Sequence, residues 1–342
     1  MKGRKIGSVS LSAIDRAHLR IAPFIRQTPI VLSPSLSEQT GGDIYLKLEQ
    51  LQITGSFKLR GATNAVLSLT EDQKANGVVG VSTGNHGRGL AYAAHNAGVH
   101  CIICMSELVP QNKVDGIRSH GAEVRIIGRS QDDAQVEVDR LVNEEGMTML
   151  PPFDHQDIIA GQGTLGLEVL AQVKDIETVL VPLSGGGLIS GIALAMKTKN
   201  PTIRIIGVSM DRGAAMYESQ QAGKPILVEE FPTLADSLGG GIGLNNLYTF
   251  RMVKELVDEI VLVTETEIAE AIRHAYWQEK LVIEGSGSVG IAALLSGKIE
   301  TPGTCVSLIS GCNIDMKLHK RLIDGENVDI SREQLKAETR HA

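Results

Sequence analysis

Aromatic residues are scarce: five Phe, five Tyr and one Trp, 3% of 342 residues. The core must therefore be built from Val, Ile, Leu and Ala. Cysteine is scarce too, and four of them exclude a disulfide-dense scaffold. Two, Cys101 and Cys104, form a C-x-x-C inside "VHCIICMS". In a β-rich run, residues three apart point to opposite faces, so neither a metal site nor a disulfide is expected there. No stretch reaches the roughly 18 consecutive apolar residues of a membrane span. The start, "MKGRKIGSVSLSAIDRAHLR", has basic residues but no apolar segment of a secretory signal. A cytoplasmic protein without a membrane partner is expected. Excess positive charge is also lacking: the net charge of −7 leaves no electrostatic footprint for nucleic acid.

Glycine, by contrast, is abundant at 37 residues, which calls for tight turns or close backbone approaches. The length suits one large or two medium domains. From about residue 43, short apolar runs alternate with helical patterns. Strands are expected at 44–49, 78–82, 99–105, 123–128, 178–183, 203–210, 259–264 and 305–310. Amphipathic helices are expected over 132–146 and 266–280. The alternation predicts an α/β fold of open, mostly parallel sheets with helices on both faces. The polar stretch from about residue 320 reads as peripheral, with 326–342 as a tail.

Ligands of such sheets bind beyond the carboxyl ends of strands, and three clusters fall there. "VSTGNHGRGLAYAA" (81–94) is either a capped turn or a turn whose amides and hydroxyls hold a carboxylate. "VPLSGGGLISGIALAMK" (181–197) runs from a strand through three glycines into a helix, a nest for a phosphate. Its spacing is not the G-x-G-x-x-G of a dinucleotide site, which leaves a dinucleotide-dependent oxidoreductase as the rival from another class. "SLISGCNIDM" (307–316) is a strand ending in a polar turn. Elsewhere Lys58 sits in "GSFKLRGA" among small residues and beside Phe57, an odd place for a solvated lysine. Pyridoxal phosphate would account for all of these features. Its aldehyde takes a lysine, its phosphate needs a nest of amides, and its substrate brings a carboxylate.

"TGSFKLRGA", "STGNHGRGLAYAA", "AGQGTLGLE" (160–168), "SGGGLISGIA" and "SGCNID", in that order, resemble the fold-type II pyridoxal-phosphate enzymes. The likeness is to the tryptophan-synthase-β-like family, in its serine/threonine dehydratase and serine racemase branch, and it covers about residues 15–320. It implies a large cofactor-binding domain from 1–50 plus 151–325 and a small domain, 51–150, closing over the substrate. It also implies a homodimer acting on a small-molecule amino acid. By the same resemblance Lys58 forms the Schiff base and shuttles the Cα proton, and Phe57 lies beside the cofactor. Asn85 meets the ring's 3-oxygen, and Ser310 the ring nitrogen. Ser184, Gly185, Gly186, Gly187 and Leu188 hold the phosphate, and Glu284 lies near the ring. Ser82, Thr83, Gly84 and His86 line the substrate carboxylate site.

Thr83 stands where racemising relatives carry a second-face serine, so racemase activity is the second expectation after β-elimination. No metal is expected, because Ser209 and Ala215 stand where cation-binding relatives carry acids. A β-replacement enzyme fits less well, since His86 stands where that branch has threonine. Within the branch, "VSMDRGAAM" (208–216) and "LADSLGGGIGLNNLYTF" (234–250) resemble the dehydratases of hydroxyectoine utilisation. A β-hydroxy amino acid larger than serine, such as 3-hydroxy-2,4-diaminobutyrate, is implied.

Overall fold

The structure is a computed structural model that describes residues 5–6, 9–82, 84–107, 109, 111–328 and 330. Its larger sheet has six strands in the order Glu259–Val263, Arg204–Met210, Thr178–Pro182, Thr304–Ile309, Asp43–Leu48, Ile30–Leu32. All neighbours are parallel except the last pair, where Ile30–Leu32 runs antiparallel. A second, all-parallel sheet orders Glu123–Ile126, Cys101–Met105, Val78–Val81 and Thr148–Met149. A two-stranded hairpin, Lys5–Ile6 with Val9–Ser10, precedes both. The expected α/β architecture of mostly parallel sheets is what the chain adopts.

The apolar alternation places one set of side chains on each face of the larger sheet. Val179, Val181 and Ile205 pack under the helices Gln156–Gln172 and Gly187–Lys199. Leu180, Ile206 and Val208 face the other way, toward Glu265–Trp277 and Gly285–Leu295. Burying one such aliphatic side chain contributes about 1.5–3 kcal/mol, enough to fix which face is which. The smaller sheet divides in the same way: Cys101 belongs to one cluster and Cys104 to the other, and both thiols are free.

The two amphipathic helices expected from the sequence start where it supplies caps. Ser130 Oγ accepts from the Asp133 amide at 3.1 Å while Asp133 returns a carboxylate to the Ser130 amide at 3.0 Å. Thr264 and Glu267 close the same reciprocal box at the other expected helix. At the other end, the stretch taken as peripheral from residue 320 instead opens inside the helix Met316–Ile323. Its Leu322 is fully buried, and of the tail proper only 326–328 and 330 are described. Among the described residues, no helix is long and apolar enough to cross a membrane.

Candidate active site

Four helices begin at one cleft: Lys58–Leu67, Asn85–Asn96, Gly187–Lys199 and Gly285–Leu295. Each helix start presents free amides and the positive end of its dipole, so the cleft is built for anions. It lies at the carboxyl ends of Thr178–Pro182 and Thr304–Ile309. Its walls bring together Phe57, Lys58, Asn85, Glu284 and Ser310 with Ser184, Gly185, Gly186, Gly187 and Leu188.

Lys58 opens its helix after Gly55, whose φ of +75° is the left-handed turn that glycine tolerates. The Lys58 Nζ donates to Pro152 O at 2.8 Å and stands 5.5 Å from the Phe57 ring centre. Desolvation lowers its pKa to about 8, against a weaker upward pull from Glu284. The neutral, nucleophilic amine is therefore well populated near pH 8. Ser56 does not cap this helix: the cap position is Phe57, no side chain bonds there, and the Ser56 hydroxyl is buried without a partner. Gly61 leaves no open space behind the lysine. A Cβ there would press on Gln162, with Cδ at 2.8 Å. The glycine serves helix-to-helix contact instead.

The helix start is held from behind by charge. Arg60 is fully buried and grips Glu49 through Nε and Nη2, both at 2.8 Å. It also grips Glu168, at 2.6 and 2.9 Å. Glu168 in turn pairs with buried Lys47 at 2.7 Å. Nothing local in the sequence announces this cluster, because its members lie up to 121 positions apart.

Asn85 has a fixed orientation. Its Nδ2 donates to Glu284 Oε1 at 2.6 Å, and its Oδ1 accepts from Asn313 Nδ2, also at 2.6 Å. Glu284 further accepts from the Asn313 amide at 2.8 Å. Burial, aided by the negative charge of Asp236, pushes the Glu284 carboxyl up to about 7, against the hydrogen bond from Asn85. Ser310 lies opposite, its hydroxyl donating to Ser286 O at a long 3.4 Å. The Ser286 hydroxyl, 1% exposed in the wall of the cleft, has no partner.

The turn at 82–86 divides. Ser82 Oγ accepts from the Gly87 amide at 3.2 Å, a bond within the turn. His86 Nε2 donates to Leu150 O at 2.9 Å. Burial and the nearby Lys58 charge lower its pKa to about 4, so it is neutral. Gly84 precedes the helix without a side-chain cap. None of these three borders the cleft with Lys58, and Thr83 lies outside the described residues. Phe153, Ser237, Leu238 and Ser286 do border it and carried no signal in the sequence beyond lying near glycine or polar turns. Asn313 was visible only as part of a polar turn.

The donor set fits pyridoxal phosphate. It combines an amine of lowered pKa, a glycine loop at a helix start, an oriented amide and an orphaned buried hydroxyl. Gly186, at φ +87°, takes the left-handed turn by which the loop enters its helix.

Comparison with known proteins agrees. The chain is 57% identical over 322 residues to a Sinorhizobium fredii protein whose threonine dehydratase name is itself provisional, covering 94% of this chain and 97% of that one. It is 42% identical over 315 residues to the catabolic L-threonine dehydratase of Staphylococcus aureus, covering 90% of each. The structure of maize serine racemase superposes with a TM-score of 0.87 at 32% identity, covering 98% of this chain and 100% of that one. Residues 21–311 match the family described as pyridoxal-phosphate dependent enzyme, and the chain belongs to that family.

Proposed function

We propose that this protein is a pyridoxal-phosphate-dependent dehydratase, converting a β-hydroxy α-amino acid to a 2-keto acid and ammonia. The observation that carries this reading is the single cleft holding Lys58, the glycine loop 184–187, Asn85 and Ser310 together. The dehydratase names of the similar chains support it.

Bound pyridoxal phosphate supplies an aldehyde and an electron-withdrawing ring that acidifies the α-proton of an attached amino acid. The chain's own residues do the rest. The amides from Ser184 to Leu188 would hold the phosphate, and Lys58 would hold the aldehyde until substrate displaces it. Freed, the Lys58 amine takes the proton from Cα; a pKa of about 8 keeps it unprotonated often enough to act as base. Asn85 would donate to the ring's 3-oxygen, its amide already turned by Glu284 and Asn313. Phe57 would flank the ring. Ser310 offers a neutral hydroxyl, which cannot hold a full positive charge on the ring nitrogen. That would favour elimination, in which the α-proton taken up by Lys58 and the β-hydroxyl leave together as water.

Because His86 is neutral and bonded to Leu150, recognition of the substrate carboxylate falls to amides at the start of Asn85–Asn96. We retain Ser82, Thr83 and Gly84 in that turn as its frame. The finer proposal is a substrate with a second amino group, such as 3-hydroxy-2,4-diaminobutyrate from hydroxyectoine breakdown. Its support is the likeness of 208–216 and 234–250 to the dehydratases of hydroxyectoine utilisation, together with Asp236, which stands next to Ser237 of the cleft wall.

The same reading includes the large domain of 1–50 plus 151–325, the small domain of 51–150, a cytoplasmic location and a homodimer. The dimer is supported by the apolar edge strand, where Val31 is 38% and Leu32 48% exposed. Sedimentation would test it. Racemase activity is the second reading, favoured by the likeness to maize serine racemase.

The purified protein should absorb at about 410–420 nm, as a lysine-bound pyridoxal phosphate does, and borohydride should fix the cofactor on Lys58. A screen of serine, threonine, 3-hydroxyaspartate and 3-hydroxy-2,4-diaminobutyrate for keto-acid release tests the reaction. Release from none of them overturns the dehydratase, while D-amino acid without keto acid selects the racemase.

A further inference from the structure

The loop 150–154 joins the strand Thr148–Met149 to the helix Gln156–Gln172 and touches several parts of the site at once. Leu150 O accepts from His86 and Pro152 O from Lys58. Phe153 lies flat against the glycine loop. A Cβ on Gly185 would find three Phe153 ring atoms as its nearest neighbours, with Cδ2 at 2.6 Å. A Cβ on Gly187 would meet Phe153 Cα and O at 2.9 Å.

The other side of the glycine loop is closed by the helix Thr249–Leu256. A Cβ on Gly186 would meet Thr249 Cβ at 3.1 Å and Val253 Cγ2 at 3.2 Å. The two sides are tied together by Asp154. Its carboxylate accepts from the amides of Leu247 at 2.6 Å and of Tyr248 and Thr249 at 2.9 Å. The glycine loop is thus clasped between an aromatic ring and a helix that one carboxylate holds in register.

We infer that Phe153 is a positioning residue for the phosphate nest: its ring, fixed through Asp154, sets the curvature at which the amides of 184–188 converge. Three glycines alone would leave that loop many conformations. The ring removes most of them without offering a competing hydrogen bond, so the amides stay free for the phosphate. This inference rests on the pyridoxal-phosphate reading of the same cleft.

The test is equilibrium binding by absorbance, with pyridoxal phosphate and with pyridoxal, which keeps the aldehyde and lacks the phosphate. Phe153→Ala should weaken pyridoxal phosphate about tenfold and change pyridoxal less than about twofold, because only the phosphate reads the loop's curvature. Phe153→Leu, which keeps apolar bulk without the flat ring, should fall between.

Gly185→Ala should weaken pyridoxal phosphate on its own, and Phe153→Ala added to it should recover part of the loss, since the ring is what the new methyl meets. Equal loss for both ligands, unchanged pyridoxal phosphate binding in Phe153→Ala, or no recovery in the double variant overturns the inference. Failure of the unaltered protein to bind either ligand overturns the underlying reading as well.

Discussion

At the scale of single residues, Lys58 shows how far local spacing reaches. Small neighbours and an adjacent Phe mark it as unusual, and the structure adds the desolvation that lowers its pKa to about 8. In cofactor-free protein, acetylation of Lys58 followed by peptide mass spectrometry should reach half-maximal rate near pH 8. Surface lysines should need pH above about 10; a midpoint for Lys58 among theirs would count against its role as base. Glu284 was legible only as a residue near the ring. Its partners Asn85 and Asn313 come from segments 199 and 29 positions away, which no motif connects. With a folded-state pKa near 7, above the ordinary 4.5, it holds a proton in the folded protein that the unfolded chain has released. Its stabilising contribution is therefore full below about pH 4.5 and gone above about pH 7. Glu284→Gln should flatten that slope. Its melting temperature relative to the unaltered protein should rise between about pH 5 and about pH 8, and a constant difference would rule the titration out.

At the scale of elements, strands of four or more residues were legible to within a residue or two. Ile30–Leu32 was not, because three residues between Pro29 and Pro34 show no period, and its antiparallel pairing is decided by the neighbouring Asp43–Leu48. The contact of Gln156–Gln172 with Gly187–Lys199 was equally hidden. It depends on facing glycines: a Cβ on Gly191 would strike Ile159 O and sit 2.6 Å from the Gly163 amide nitrogen. Gly191→Ala should destabilise by about 1–3 kcal/mol, the usual penalty of overpacking, read as a lower urea midpoint with unchanged slope. The Arg60 cluster ties the same helix to the lysine's. Arg60→Met leaves two buried carboxylates with only Lys47 to answer them, and should destabilise by about 3–5 kcal/mol. A midpoint within error of the unaltered protein would show that water reaches Glu49 and Glu168.

For the whole molecule, the alternation of strands and helices predicted parallel sheets, but the seam between them was invisible in sequence. Lys58 and Asn85 come from the chain between residues 51 and 150, whereas the glycine loop and Ser310 end strands of the six-stranded sheet. Polar contact across this seam is concentrated behind and beside the cleft, where Arg60 grips Glu168 at 2.6 Å and Asn85 meets Glu284 and Asn313 at 2.6 Å. At the rim the half-exposed Lys113 and Asp236 meet at 3.3 Å, a pair worth at most about 1 kcal/mol. A ligand in the cleft, gripped by both sides, would add to contacts they already make and should act as a further staple. Ligand binding to the folded state alone stabilises by about 2.7 kcal/mol at a hundredfold excess over Kd. In a chain of this length that corresponds to a rise in Tm of about 4 °C. Stripping the cofactor should lower Tm by at least that much, and re-addition should raise it with the logarithm of the free pyridoxal phosphate concentration. Lys58→Ala removes the aldehyde's anchor but not the phosphate nest, so it should move this rise to higher concentration rather than abolish it. A Tm indifferent to pyridoxal phosphate in the unaltered protein would mean that the cleft does not join the two sheets through a ligand.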